Sequence, residues 1–162
     1  QNILYNIKSM RLNMNYRKIT IQDYEKMLDL WNSVEMTKKA LNPVDDSLDG
    51  IARYLKRNPD TCFAAVNNDG ELCGVILSGH DGRRGIVHHL CVSPKYQRQG
   101  IASKLVSLAE SALLKEGIQK IFILAFKENE KANAFWQSKG YTLRTNLNYR
   151  NKSLCDKIPQ GE

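Results

Sequence analysis

The sequence predicts an α/β fold built on one mixed sheet. Three observations carry that prediction. Apolar residues recur at helical spacing up to residue 59 and then give way to short strand-like runs. Asp69-Gly70 separates two of those runs as a hairpin turn. The amphipathic stretch "SKLVSLAESALLKEG" lies between two further apolar runs, the pattern of a β-α-β crossover. The expected order is therefore β-α-α-β-β-β-α-β-α-β.

"NYRKIT" (15–20) alternates and predicts a first strand. "TIQDYEKMLDLWNSV" places Tyr24, Met27, Leu28 and Trp31 on one helical face, with Thr20 or Asp23 at its start. "NPVDDSLDG" is loop and capping material. "SLDGIARYLKRNP" predicts a second helix, stopped by Asn58-Pro59. "TCFAAVN" and "ELCGVILSGH" form the hairpin, and "IVHHLCV" is the next strand. Residues 103–116 predict a helix packing through Leu105, Leu108, Ala109, Ala112 and Leu113, with Gly117 as its stop. "KIFILAF" (120–126) is continuously apolar, as for a strand covered on both faces. "ENEKANAFWQSKG" predicts a short helix, and "YTLRTNLNYRNKSL" one or two final strands.

The chain has 162 residues, which suits one domain with its own core. It is 42% hydrophobic and 25% charged, which excludes a disordered class. The domain is expected over 15–153, between an N-terminal extension (1–14) and a C-terminal tail (154–162). The formal net charge of +7 favours anionic partners. Its cations are scattered rather than clustered, so no nucleic-acid partner is expected. No apolar run approaches the roughly 20 residues of a membrane span, so no membrane partner is expected. "QNILYNIKSMRLNM" lacks the continuous apolar core and cleavage site of a signal peptide. Cys62, Cys73, Cys91 and Cys155 show no Cys-x-x-Cys spacing, and the three histidines are not clustered for zinc. The expectation is reduced thiols, no metal and a cytoplasmic location.

The segment "QRQGIA" (97–102) joins an apolar strand to a helix. A helix N-terminus presents free N–H groups and partial positive charge, so phosphate binds well there. Gly100 lets a ligand approach the backbone, and Ala102 keeps the next exposed position small. Arg98, Lys95 and the Gln97 amide stand nearby. From these residues alone, a tight turn and a pyrophosphate cradle fit equally well. The P-loop ending Gly-Lys-Ser/Thr and the Gly-x-Gly-x-x-Gly fingerprint are both missing.

"VHHLCVSPKYQRQGIASKLV" resembles the signature segment of the GNAT superfamily of N-acetyltransferases. Gln97, Gly100 and Ala102 fill its three defined positions. "NEKANAFWQSKGY" is similar to a second family element at Asn129, Ala132, Phe135, Gly140 and Tyr141. The resemblance covers roughly residues 15–153. It implies a mixed sheet of six to seven strands flanked by four helices, with a splayed parallel pair that holds the cofactor. The implied co-substrate is acetyl-CoA, and no metal is implied. Its pyrophosphate would rest on the turn amides from Arg98 through Gln99, Gly100, Ile101 and Ala102 to Ser103. Its pantetheine arm would run along Leu90, Cys91 and Val92, flanked by Asn129, Ala132, Phe135 and Trp136. The Leu90 N–H would hold the thioester carbonyl.

The implied reaction moves an acetyl group to a primary amine by direct attack in a ternary complex. A lysine-like amine has a pKa of about 10.4, so a base must take its proton near neutral pH. His88 is the expected base, because positions 90, 88 and 86 fall on one face of an even strand. Some family members carry histidines at the places of Ile86 and His88, and others a glutamate at the place of Ile86. His89 is expected to face the other way and pack. His80 and Asp81 are alternative lining for the acceptor site. The family often uses a tyrosine acid where this chain has Trp136, and an indole N–H does not release a proton. Tyr149 is the candidate in its place, and Trp136 is expected beside the pantetheine arm. Covalent catalysis by Cys91 is not expected, since its side chain points away from the Leu90 face. Asp45, Asp46 and Asp49 either attract a cationic amine or cap a helix. The acceptor is a small-molecule amine or a peptide or protein amine, and a homodimer is one expected assembly. The alternative reading is a non-catalytic acyl-CoA-binding module, favoured by Ile86 and Trp136.

Overall fold

The computed structural model describes residues 13–156. Residues 1–12 of the expected N-terminal extension and 157–162 of the tail lie outside the described residues. Five strands form one sheet in sequence order: β1 (Asn15–Lys18), β2 (Phe63–Val66), β3 (Leu72–His80), β4 (Gly85–Val92) and β5 (Ile121–Ile123). Neighbours pair antiparallel except β4 and β5, which run parallel. The helices are α1 (Tyr24–Asn32), α2 (Glu35–Ala40), α3 (Leu48–Arg57), α4 (Ile101–Lys115) and α5 (Glu130–Ser138). α4 is the crossover that parallel pairing requires.

Each face of the sheet has its own apolar layer. On one side Met27, Leu30 and Trp31 of α1 and Ile51 of α3 pack on Val75, Leu77 and Cys91. On the other, Ile101, Leu105 and Val106 of α4 and Trp136 of α5 pack on Ile76, Val87 and Val92. β3 lies at the centre and is buried at every position except His80.

Sequence and structure differ in four places. There are five strands among the described residues, not six or seven. Residues 141–154 form no strand, because Leu143, Leu147 and Tyr149 stay 81%, 63% and 68% exposed and find no face to bury. There are five α-helices among the described residues, not four. α2 occupies a stretch where the sequence predicts no element; it has no buried residue, so it leaves no apolar period to detect. β5 is also shorter than 120–126 and is covered on one face only. Ile121 and Ile123 meet the α4 layer, while Phe122 and Leu124 are about half exposed, because α1 packs chiefly on β3 and β4.

Candidate active site

The site begins at an irregularity in β4. Leu77 pairs with His89 and Ser78 with Val87, which leaves His88 as an extra residue. Such a bulge turns two consecutive side chains to the same side of the sheet. His88 meets Tyr54 of α3 edge-on, with ring centroids 5.2 Å apart. His89 lies against Trp31 of α1 at 4.9 Å. Both imidazoles therefore face the α1–α3 layer. This corrects the expectation that His88 shares a face with Leu90, and that His89 points away from His88. Leu90 and Val92 belong to the α4 layer, while Cys91 packs under α1 as expected.

The second feature is an open strand edge. β5 pairs with Gly85, Ile86 and Val87 and then leaves, so β4 from His88 to Val92 has no strand on that side. The Ser93 N–H donates to the Cys73 carbonyl on β3 at 2.9 Å. Backbone groups alternate between the two edges of a strand. Cys91 therefore also faces β3, while the Leu90 and Val92 amides face the opening. The Val92 carbonyl accepts from the Gln97 side chain at 3.1 Å, which fits this orientation. Gln97 thus ties the strand end to the turn through one amide hydrogen.

The turn that follows is shaped for an anion. Gly100 caps α4 with φ 83°, and Arg98 has φ 64°, a conformation that L residues rarely adopt. Gly100 supplies no side-chain cap, so the first amides of α4, at Ile101, Ala102 and Ser103, face the turn uncapped. A Cβ built at Gly100 meets no atom within 4 Å, so the approach is clear. Lys95 is the weaker part of the expectation: its Nζ pairs with Glu71 at 3.3 Å.

The connection between α2 and α3 brings a carboxylate to the histidines. Asp46 Oδ1 lies 2.7 Å from His89 Nε2, and its other oxygen accepts the Asn42 N–H at 2.7 Å. Asn42 Oδ1 accepts from the amides of Val44 and Asp45 at 2.9 Å each. Tyr24 Oη donates to the Asp46 carbonyl at 3.0 Å. Ser47 caps α3 by accepting from Gly50, and a Cβ at Gly50 would stand 2.2 Å from the Asp45 carbonyl. The connection is therefore seated tightly on α3. Desolvation by the protein around it holds the His88 pKa below its ordinary value; His89 adds to the shift, and Asp46 and Asp45 oppose it. His88 is exposed by surface area and sits at the rim, so the lowering is modest in consequence: it keeps the ring neutral at pH 7.

The other expected residues sort by contact. Asn129 accepts from the Ala132 N–H at 3.1 Å and caps α5, which is why those two residues stand three apart. Phe135 and Trp136 pack against each other, and Trp136 is edge-on to Tyr141 at 4.8 Å. Trp136 is only 8% exposed, so the structure places it in the α4–α5 core and not along the open edge. Tyr149 lies on the irregular segment after α5, is 68% exposed, and makes no hydrogen bond or ring contact with a described residue. Burial pushes the Cys91 thiol up to about 11, which argues against a nucleophile. His80, bonded to Glu116 at 2.7 Å, and Asp81 lie at the opposite, paired end of β4. Asp49 sits in the first turn of α3. Sequence reasoning missed the grouping of Asp46, Trp31 and Tyr54 around the two histidines; two adjacent histidines within one strand were its only trace. No group of metal-ligating side chains occurs among the described residues.

An uncapped helix start beside an opened parallel strand pair suits a phosphate-bearing ligand laid across that gap. The model of the acetyltransferase (GNAT) family matches residues 24–141, and the chain belongs to this family. An acetyltransferase of Photorhabdus laumondii is 34% identical over 118 residues, covering 72% of this chain and 78% of its own. Another, of Sodalis glossinidius, is 29% identical over 143 residues, covering 88% and 97%. Among solved structures, the PaiA N-acetyltransferase of Thermoplasma acidophilum in complex with coenzyme A superposes with a TM-score of 0.71 at 17% identity, covering 82% of this chain and 92% of that one.

Proposed function

We propose that the chain moves an acetyl group from acetyl-CoA to a primary amine by direct attack. The observation that carries the reading is the alignment of two donor sets, the outward amide of Leu90 and the uncapped amides at the start of α4. The fit to the co-substrate is good on this chain's own terms. Arg98 to Ser103 form an unobstructed anion cradle, and the β4 edge at Leu90, Cys91 and Val92 can take an extended arm as an added strand. When bound, acetyl-CoA supplies the activated acetyl thioester. The Leu90 N–H steadies the charge that develops on the carbonyl oxygen. The β4 imidazole pair removes the amine's proton, and His88, neutral at pH 7 and open to solvent, connects that pair to water. Asp45 and Asp46 put negative charge beside the pair, which suits a cationic amine acceptor. The four free cysteines suit a reducing cytoplasm.

The test is thiol release from acetyl-CoA across a panel of spermidine, an aminoglycoside, free amino acids and short peptides with free N-termini. Amine-dependent release supports the proposal. Calorimetric binding of CoA without release on any amine would favour the acyl-CoA-binding module instead.

A further inference from the structure

We propose that His89, held by Asp46, is the proton acceptor for the attacking amine, and that Nδ1 is the atom that takes the proton. The proposal rests on the acetyl-transfer reading above and names the group that performs one of its steps.

Four observations lead there. First, the ring's protonation is fixed by its partner. Asp46 accepts from Asn42 with one oxygen and meets His89 Nε2 with the other at 2.7 Å. A carboxylate only accepts, so Nε2 carries the hydrogen and the lone pair of the neutral ring sits on Nδ1. Second, that lone pair is available. Among the described residues, Nε2 to Asp46 is the one hydrogen bond of the ring, and the His89 side chain is 10% exposed. Third, two imidazoles on successive residues resist being cations together. His89 has a carboxylate in contact, whereas His88 has none, so an imidazolium formed in the reaction has its counter-ion at His89. Fourth, the ring cannot swing away. Trp31 covers it, and Tyr24, Asn42 and Ser47 lock the connection that carries Asp46. The ionisable groups around the pair are Asp45 and Asp46 from the connection, Tyr24 from α1, Tyr54 from α3 and Cys91 from β4. Carboxylate, oriented imidazole and free second nitrogen form the arrangement used wherever a histidine must act as a base.

The step balances. The ammonium form of the acceptor gives one proton to Nδ1, leaving a neutral amine and an imidazolium paired with Asp46. The amine nitrogen bonds to the acetyl carbon as the carbon–sulfur bond breaks. The second amine proton ends on the sulfur. His89 then returns its proton to solvent past His88, so the products are the acetamide, the CoA thiol and one proton.

The experiment has two arms on the full chain. Nitrogen-15 NMR of labelled imidazoles should show neutral His89 protonated at Nε2 and bare at Nδ1. In Asp46→Asn that preference for Nε2 should be lost. A hydrogen on His89 Nδ1 of the neutral wild-type ring overturns the proposal. The kinetic arm uses the fastest amine of the panel. His89→Gln should lower kcat about 100-fold or more, with CoA affinity by calorimetry within twofold. Asp46→Asn should lower kcat/KM and move its acidic limb to lower pH, which a merely structural residue would not do. His88→Ala should lose less than His89→Gln. Full activity in His89→Gln, or an unmoved limb in Asp46→Asn, overturns it. A wild-type protein that releases no CoA with any amine would instead refute the acetyl-transfer reading, and the NMR arm would still report on the pair.

Discussion

Gly100 holds a left-handed conformation at the mouth of the cradle, with open space where a side chain would stand. The cost of substitution there is conformational, not steric. A left-handed residue with a Cβ costs roughly 1–2 kcal/mol, so Gly100→Ala should weaken CoA binding about tenfold by calorimetry while leaving the fold intact. Trp136 behaves in the opposite way. Its indole is buried between Phe135 and Tyr141, so Trp136→Ala should destabilise the domain by about 3–5 kcal/mol in a denaturant titration. If Trp136→Ala left stability unchanged and altered only CoA affinity, the ring would belong to the cofactor site instead. The cradle was legible at this scale because a glycine between an apolar strand and an amphipathic helix has a specific physical use. The partner of His89 was not, because Asp46 is 43 positions away and looks like any capping aspartate in a loop.

Among the elements, β4 carries most of the candidate site and was only half legible. Its existence and its place before the crossover helix follow from apolar content. Its bulge does not: one extra residue in "IVHHLCV" keeps an acceptable alternation on paper, and only pairing with β3 reveals that His88 has no partner. The predicted sharing of a face by positions 86, 88 and 90 fails between 88 and 90 for that reason. α2 was hidden because it buries nothing, and the last segment was over-read because alternation alone does not supply a strand with a neighbour. α5 was well marked, since Asn129 and Ala132 make a cap that sequence spacing shows directly. Asn129→Ala should cost about 1 kcal/mol, read as a lower denaturation midpoint with an unchanged slope. A change in slope would mean that the cap also shapes the native state beyond α5.

For the molecule as a whole, two further expectations follow from its charges and thiols. The Arg17 guanidinium, 2.7 Å from Asp23, holds that carboxyl below its ordinary value. A carboxyl lowered on folding stabilises the native state above the unfolded value, about pH 4, and that contribution fades as pH falls through the folded value. Arg17 is 40% exposed, so solvent screens the pair and the effect is small. Asp23→Asn should therefore flatten the acid side of the Tm profile below about pH 4 and leave the neutral side parallel to wild type. Of the four cysteines, Cys62, Cys73 and Cys91 are buried and Cys155 is exposed. Burial raises the Cys62 thiol to about 12 and Cys91 to about 11. An aromatic disulfide reagent should thus titrate one thiol quickly in the native protein and the rest only on unfolding. The measurement that bears most directly on the whole account is the release of CoA thiol from acetyl-CoA with each amine of the panel, in wild type and in His89→Gln side by side. The account predicts amine-dependent release by the wild type, falling about 100-fold in the variant. Thiol release that is absent in both proteins while CoA still binds would contradict it.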